Sequence, residues 1–142
     1  MALTFKTILC PVDFDENSLV ALDKAAEIAR HFGSSIILLH VLELVLTSGE
    51  IYAPPAMFAD QEKAARAKLE DIVKQKLAGL KHDALIYTGD VVGCIMQAEI
   101  KHKPDLIVIA THGRKGLKRM ILGSVAEAVV RKAACPVMTI RE

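Results

Sequence analysis

The chain has 142 residues, which suits one domain and is short for two. Its hydrophobic content of 52% excludes a disordered chain, and 18 Lys and Arg against 17 Asp and Glu leave a net charge of +1, too small to attract nucleic acid or membranes. The longest nearly apolar run, from Ile36 to Leu46, is shorter than the roughly 18 residues of a membrane helix. No secretory leader precedes Thr4. We therefore expect a single soluble, cytoplasmic domain over residues 1–142, with neither a nucleic acid nor a membrane as partner.

Five short runs rich in β-branched and apolar residues predict strands, at Thr7–Val12, Ser35–Leu42, Ala84–Thr88, Asp105–Ala110 and Val137–Ile140. The second and fourth runs are continuously apolar instead of alternating. Strands with this pattern are buried on both faces, as in a parallel sheet.

Apolar stripes at helical spacing lie between these runs and predict four helices. The first begins at Asn17 or Ser18 and ends at Gly33, the second carries Ala65, Leu69, Ile72 and Leu80, the third carries Val92, Ile95, Met96, Glu99 and Ile100, and the fourth carries Ala126, Val129, Val130 and Ala133. Alternating strands and helices of this length predict a five-stranded, parallel, doubly wound α/β sheet of the Rossmann-like type.

One connection, Thr47–Asp60, has no clear periodicity and contains Gly49, Pro54 and Pro55. A connection of this length is either a functional lid or a surface insertion, and the sequence leaves both interpretations open.

The stretch after the fourth strand is the most informative part of the sequence. In an open α/β sheet, ligands bind outside the carboxyl ends of the strands, where the strand order reverses. The candidate site residues of this stretch are Ala110, Thr111, His112, Gly113, Arg114, Gly116, Gly123, Ser124 and Val125. Ser124 and Glu127 have capping-box spacing, and glycine at 123 lets an anion approach a helix N-terminus. A capped helix after a basic surface loop explains the same residues without a ligand.

Other nucleotide-binding fingerprints are missing. The chain has no Walker lysine motif, and no Gly-rich dinucleotide motif follows the first strand. Three cysteines, Cys10, Cys94 and Cys135, show no metal-binding spacing and are expected to be small buried hydrophobes.

The chain resembles the universal stress protein family over essentially its whole length. Its first strand, from Ile8 to Asp13, is similar to the opening signature of that family. The ATP-binding branch carries the motif G-x2-G-x9-G-(S/T) after the fourth strand. Gly113 and Gly123-Ser124 match its second half, whereas Ala110 replaces its first glycine.

The resemblance implies a fold like that of adenine nucleotide alpha hydrolases and a dimer that binds ATP or AMP for stress response or signalling. It implies that Asp13 lies near the ribose and contacts Mg²⁺ indirectly, through the phosphates. Pro11 and Val12 would form the pocket wall, Val41 would meet the adenine through its main chain, and Gly113, Gly123, Ser124 and Val125 would cradle the phosphates. Family dimers pair through their last strands, here Val137–Ile140.

Other functions remain open at this point. The chain can be a universal stress protein without a nucleotide that acts through protein contacts, an alternative that Ala110 favours. A receiver domain needs a lysine after the fifth strand, and this chain ends there in Arg141-Glu142. Asp13 can be a helix-entry residue only, and His40 is expected in the core or the pocket wall. No residue is spaced to orient water, so we expect ATP hydrolysis to be absent or very slow.

Overall fold

Strands and helices alternate along the whole described chain. The computed structural model describes residues 3–43, 55–112 and 122–141. The strands are β1 (Thr7–Pro11), β2 (Ser35–Glu43), β3 (His82–Gly89), β4 (Leu106–Ala110) and β5 (Val137–Ile140). The helices are α1 (Glu16–Phe32), α2 (Pro55–Lys76), α3 (Val91–His102) and α4 (Ser124–Lys132).

The five strands form one parallel sheet in the order β3-β2-β1-β4-β5, which confirms the predicted doubly wound fold. The two continuously apolar runs, Ile36–Leu39 and Leu106–Ile109, are buried throughout. They lie in β2 and β4, on either side of β1. Both faces of these strands are covered by helices, which explains why their sequences do not alternate.

Each face of the sheet has its own core. On one face, α1 and α2 pack against side chains that alternate along the strands, such as Ile8, Leu38 and Val108. On the other face, α3 and α4 pack against the intervening side chains, such as Leu9 and Ile107. The chain therefore changes face between its first and second half, and the strand order reverses between β1 and β4.

The ends of two helices differ from the prediction. The N-cap of α1 is Asp15, whose carboxylate accepts from the Ser18 amide, and neither Asn17 nor Ser18 is the cap. The predicted end of α1 at Gly33 is confirmed, with φ 70° in the left-handed region that glycine favours. Leu80 lies beyond the end of α2 and packs against the core from a turn.

The interpretation of Thr47–Asp60 as an irregular connection is wrong for its last six residues. They belong to α2, which begins at Pro55. Proline is favoured in the first turn of a helix, since it lacks only an N–H that has no acceptor there. Residues 47–54 lie outside the described residues.

Two residues predicted to face the core do not. Ile100 of α3 is 75% exposed and Val130 of α4 is 46% exposed, although neighbouring positions on both helices are buried. None of the helices in the described part of the chain is long and apolar enough to cross a membrane.

Glu99 is a buried carboxylate that joins α3 to the connection between α4 and β5. Its Oε2 accepts from the backbone N–H of Ala134 at 2.9 Å and of Cys135 at 3.1 Å, and its Oε1 accepts from Ala134 at 3.2 Å. Burial by itself would raise the pKa of Glu99, but these N–H groups and the Cys135 thiol outweigh burial, so its pKa is lowered. The ionised carboxylate therefore stabilises the folded chain here.

Candidate functional site

The carboxyl ends of β1 and β4 lie side by side, and the chain leaves them toward opposite faces. Ile8 and Leu9 of β1 pair with Leu106 and Ile107 of β4. After β1 the chain enters α1 on one face, and after β4 it reaches α4 on the other. We call the space between the two exits the cleft, because it is the position where ligands bind in open α/β sheets.

The exit from β1 is held by hydrogen bonds to β2. The Val12 N–H donates to the Leu39 carbonyl at 2.8 Å. The Val12 carbonyl lies 2.8 Å from Nδ1 of His40, a side chain that is 7% exposed. His40 is therefore buried and hydrogen-bonded, which agrees with the expectation of a histidine in the core or the pocket wall.

Asp13 follows Val12 at the mouth of the cleft and is half-buried. Its amide donates to Ser18 Oγ at 3.2 Å, and its Oδ1 accepts from the Asp15 amide at 3.1 Å. Because Asp15 occupies the N-cap of α1, capping that helix does not explain Asp13. Asp13 therefore lies in the turn between β1 and α1 and is not the N-cap of the helix.

Asp15 is a second carboxylate in this turn that the sequence analysis missed. Burial raises the pKa of Asp15, and the neighbouring Asp13 adds to the rise, while the amide of Ser18 opposes it. The sequence does contain a signal for this cap. Of two aspartates that closely precede an apolar helical stripe, the one nearer the stripe, here Asp15, is the better N-cap candidate.

Phe14 lies between these two aspartates in an unusual backbone conformation. Its φ is 69°, in the left-handed region that is uncommon for a bulky side chain. The ring stacks on His40 with 4.1 Å between centroids and 26° between planes. Lys68 Nζ lies 5.3 Å from the centroid of the Phe14 ring. No sequence pattern pointed to this stack, because its members come from β2, α2 and the turn after β1.

Val41 is placed so that its main chain faces the cleft. The Leu39 carbonyl points toward β1, as its bond to Val12 shows. Main-chain groups two residues apart in a strand point to the same side, so the N–H and C=O of Val41 also point there. The chain has left β1 at that level, because the last strand pair is Pro11 with Leu39.

The connection from β4 to α4 is closed at its base by a backbone hydrogen bond. The Thr111 amide donates to the Ile140 carbonyl at 3.0 Å, and the Thr111 carbonyl accepts from the Gly123 amide at 2.5 Å. Thr111 is buried and His112 half-buried, whereas Gly113, Arg114 and Gly116 lie outside the described residues. The ends of the predicted loop therefore meet beside the cleft.

The predicted capping box at α4 is wrong. Gly123 is the N-cap and Ser124 is the first helical residue, so Ser124 stands one position too late to cap. Glu127 instead pairs with Arg131 at 2.6 Å. Among the described side chains none caps α4, whereas Asp15 caps α1 and Asp90 caps α3.

The N-terminus of α4 consequently presents backbone amides to the cleft side of the sheet. The first intrahelical bond runs from the Glu127 amide to the Gly123 carbonyl, so the amides of Ser124 and Val125 have no acceptor within the helix. Gly123 itself has φ −70°, which any residue adopts. Glycine is therefore not required here for backbone geometry, and what it offers is the absence of a side chain.

The three thiols are unsuited to catalysis. Burial raises the pKa of Cys10 to about 12, and burial together with Glu99 raises the pKa of Cys135 to about 12. Burial and then Asp90 raise the pKa of Cys94. All three are protonated at neutral pH, and only Cys135 is not fully buried. Within residues 3–43, 55–112 and 122–141, no group of three or more His, Cys, Asp or Glu side chains can hold a metal ion.

Comparison with known proteins supplies a family. The profile of the universal stress protein family matches residues 4–141. A universal stress protein of Thermus aquaticus is 33% identical over 139 residues, covering 96% of this chain and 99% of the relative. The structure of a universal stress protein from Lactobacillus plantarum has a TM-score of 0.77 at 24% identity, covering 99% and 100% of the two chains. A structure from the same family in Arabidopsis thaliana, with AMP bound, has a TM-score of 0.63 at 27% identity, covering 96% and 92%.

Proposed function

The chain belongs to the universal stress protein family, and on this premise we propose that it binds an adenine nucleotide, ATP or AMP, in the cleft between β1 and β4. The observation that carries the proposal is the α4 N-terminus, which no described side chain caps and which follows β4, the strand next to β1. Helix N-termini of this kind bind phosphate groups. The AMP bound to the Arabidopsis relative supports the same ligand class.

The proposed binding mode assigns each part of the nucleotide to one side of the cleft. The adenine meets the main chain of Val41 beside the wall of Pro11 and Val12, and the ribose hydroxyls meet the Asp13 carboxylate. The phosphates lie against the Ser124 and Val125 amides. Three groups of residues complete the site: the β4 end with Ala110, Thr111 and His112; the loop residues Gly113, Arg114 and Gly116; and Gly123 at the helix start.

Mg²⁺ fits this site only through the phosphates. Asp13 is the carboxylate that we place nearest to it, and its Oδ1 already accepts from the Asp15 amide within the turn. We propose that a divalent cation, where present, is held by phosphate oxygens with Asp13 at a greater distance. Such a site binds a nucleotide in the cytoplasm and hydrolyses it slowly or not at all, because rapid phosphoryl transfer needs a positioned nucleophile.

The first test is to identify the nucleotide that copurifies with the native protein by mass spectrometry. The second is Gly123→Val, studied by titration calorimetry with ATP and AMP, with and without Mg²⁺. Valine can adopt φ −70°, so the fold should persist, while its side chain occupies the space that the phosphates need. We expect binding to be abolished and the circular dichroism spectrum to be nearly unchanged.

The matched control is Gln97→Val, which introduces a valine at an exposed position of α3, away from the cleft. It should bind nucleotide as the wild type does. Equal affinity of the wild type and Gly123→Val would contradict the site.

A second proposal concerns the free edge of the sheet. β5 pairs with β4 on one side only, and Met138 in it is 38% exposed. We propose that Val137–Ile140 pairs with the same strand of a second copy to form a two-fold dimer. Action through protein contacts without a nucleotide remains the alternative, which Ala110 at the motif position favours. A wild type that dimerises but binds neither ATP nor AMP would support it.

A further inference from the structure

We propose that His40 is a positioning residue of the cleft, which sets the place of the Asp13 carboxylate by holding both of its neighbours. The inference rests on the proposed nucleotide function for its consequence, while the positioning itself can be measured without any ligand. His40 contacts Val12 by a hydrogen bond and Phe14 by ring stacking. Asp13 is the single residue between them.

The first half of the argument is the peptide before Asp13. A carbonyl oxygen only accepts hydrogen bonds, so His40 Nδ1 carries the hydrogen in its 2.8 Å contact with the Val12 carbonyl. The Val12 amide is bonded to Leu39 of the same strand, β2. Both main-chain groups of Val12 are therefore tied to neighbouring residues of β2, and both Val12 and His40 are buried.

The second half is the residue after Asp13. Phe14 adopts φ 69°, a conformation that costs an L-residue energy and persists where surrounding contacts hold it. The nearly parallel stack on His40, 4.1 Å away, is such a contact, and Lys68 lies close to the same ring. Loss of the histidine ring would leave Phe14 free to return to an ordinary backbone conformation.

The consequence is a fixed Asp13. With Val12 and Phe14 both held by one side chain, the turn presents the Asp13 amide to Ser18 and its Oδ1 to the Asp15 amide. In the proposed function this carboxylate meets the ribose hydroxyls. His40 would then decide how strongly the site distinguishes a ribonucleotide from a nucleotide that lacks a hydroxyl, without touching the ligand.

Two variants separate the two contacts. His40→Phe retains an aromatic ring for the stack and removes the N–H, whereas His40→Gln retains a donor and removes the ring. The matched control is Ile36→Ala, on the same strand and the same face but four residues from the cleft, where it loosens the core without reaching Asp13. Asp13→Asn is the reference for loss of the carboxylate charge.

The first measurement uses protein without ligand. Amide hydrogen exchange followed by NMR reports on the Asp13 and Asp15 N–H groups, which are bonded within the turn. We expect both to exchange at least about tenfold faster in His40→Phe and His40→Gln than in the wild type, because each such bond is worth about that factor. In Ile36→Ala, the Asp13 and Asp15 amides should exchange no faster than the lower global stability of that variant explains. Unchanged exchange in both His40 variants, or equal acceleration in the control, overturns the proposal.

The second measurement compares ATP with 3′-deoxy-ATP by titration calorimetry. The wild type should prefer ATP by about tenfold, the value of one hydrogen bond to a charged group. Asp13→Asn and both His40 variants should lose that preference, and Ile36→Ala should keep it. Retention of the preference in both His40 variants contradicts the positioning role. A wild type that binds neither compound refutes the nucleotide function instead, and the exchange data still decide on His40.

Discussion

Replacement of Glu99 by glutamine tests how strongly a buried charge joins α3 to the start of β5. The carboxylate receives the amides of Ala134 and Cys135. Glutamine has nearly the same shape but retains one acceptor oxygen, and its NH₂ group meets an N–H donor. Hydrogen bonds to a charged group contribute about 1.5–3 kcal/mol and neutral ones about 0.5–1.5 kcal/mol. Glutamine loses one bond to a charged group and weakens the other, so the free energy of unfolding should fall by about 2 kcal/mol. For a chain of this size, this corresponds to a fall of about 6 °C in Tm.

The loss of stability in Glu99→Gln should depend on pH. Because the pKa of Glu99 is lowered in the folded chain, its contribution is complete above the unfolded pKa of about 4.3 and is lost as the pH falls through the folded pKa. The stability difference between wild type and Glu99→Gln should therefore be constant from about pH 5 to 8. It should shrink as the pH falls below the unfolded pKa and through the lowered pKa of the folded chain, where the wild-type carboxylate becomes neutral.

The assay is urea unfolding at a series of pH values, with Glu127→Gln as the control. Glu127 makes an exposed ion pair with Arg131, so the same chemical change should cost no more than about 0.5 kcal/mol. Equal losses for the two variants, or a Glu99→Gln loss that does not shrink as the pH falls below the unfolded pKa, would refute the assignment of a stabilising buried charge.

Three further predictions concern the dimer, the motif alanine and turnover. The carbonyls of Pro136 and Ile140 accept hydrogen bonds from the β4 side, so the N–H of Thr139, at an alternate position, points to the free edge of the sheet. Thr139→Pro removes a donor from that edge and should yield a monomer in light scattering. Met138→Pro should instead break the β4–β5 ladder and lower Tm. A monomeric wild type at high concentration would exclude the dimer. Ala110→Gly should tighten ATP binding by about 1 kcal/mol in calorimetry and lower the Tm of the empty protein, since glycine costs about 0.5–1 kcal/mol in a strand; unchanged or weaker binding would show that the methyl group is no steric limit. Phosphate release should stay below the ordinary enzyme range of about 1–1,000 per second, and a rate within it that Asp13→Ala abolishes would contradict a binding module.

The end of the sheet that carries the candidate site was predictable, because parallel strands all place their carboxyl ends on the same side. Continuous apolar runs identified buried parallel strands, which puts Pro11–Asp13 and Ala110–Thr111 at that end, whereas the tertiary structure made β1 and β4 neighbours. Errors arose where competing local signals had to be ranked. Ser124 and Glu127 had capping spacing, yet the helix begins at Ser124, one residue earlier than a Ser124 cap requires. Spacing does not determine at which residue the first helical turn starts.

The fold class and the end of the sheet where a ligand can bind follow from periodicity, which is a property of neighbouring residues along the chain. The family resemblance follows from the motif residues Gly113 and Gly123-Ser124. Tertiary packing, in contrast, was needed to show that His40 holds Val12 and Phe14, on either side of Asp13. The stack brings together residues from positions 14, 40 and 68, and such contacts depend on how strands and helices pack. No local pattern encodes them.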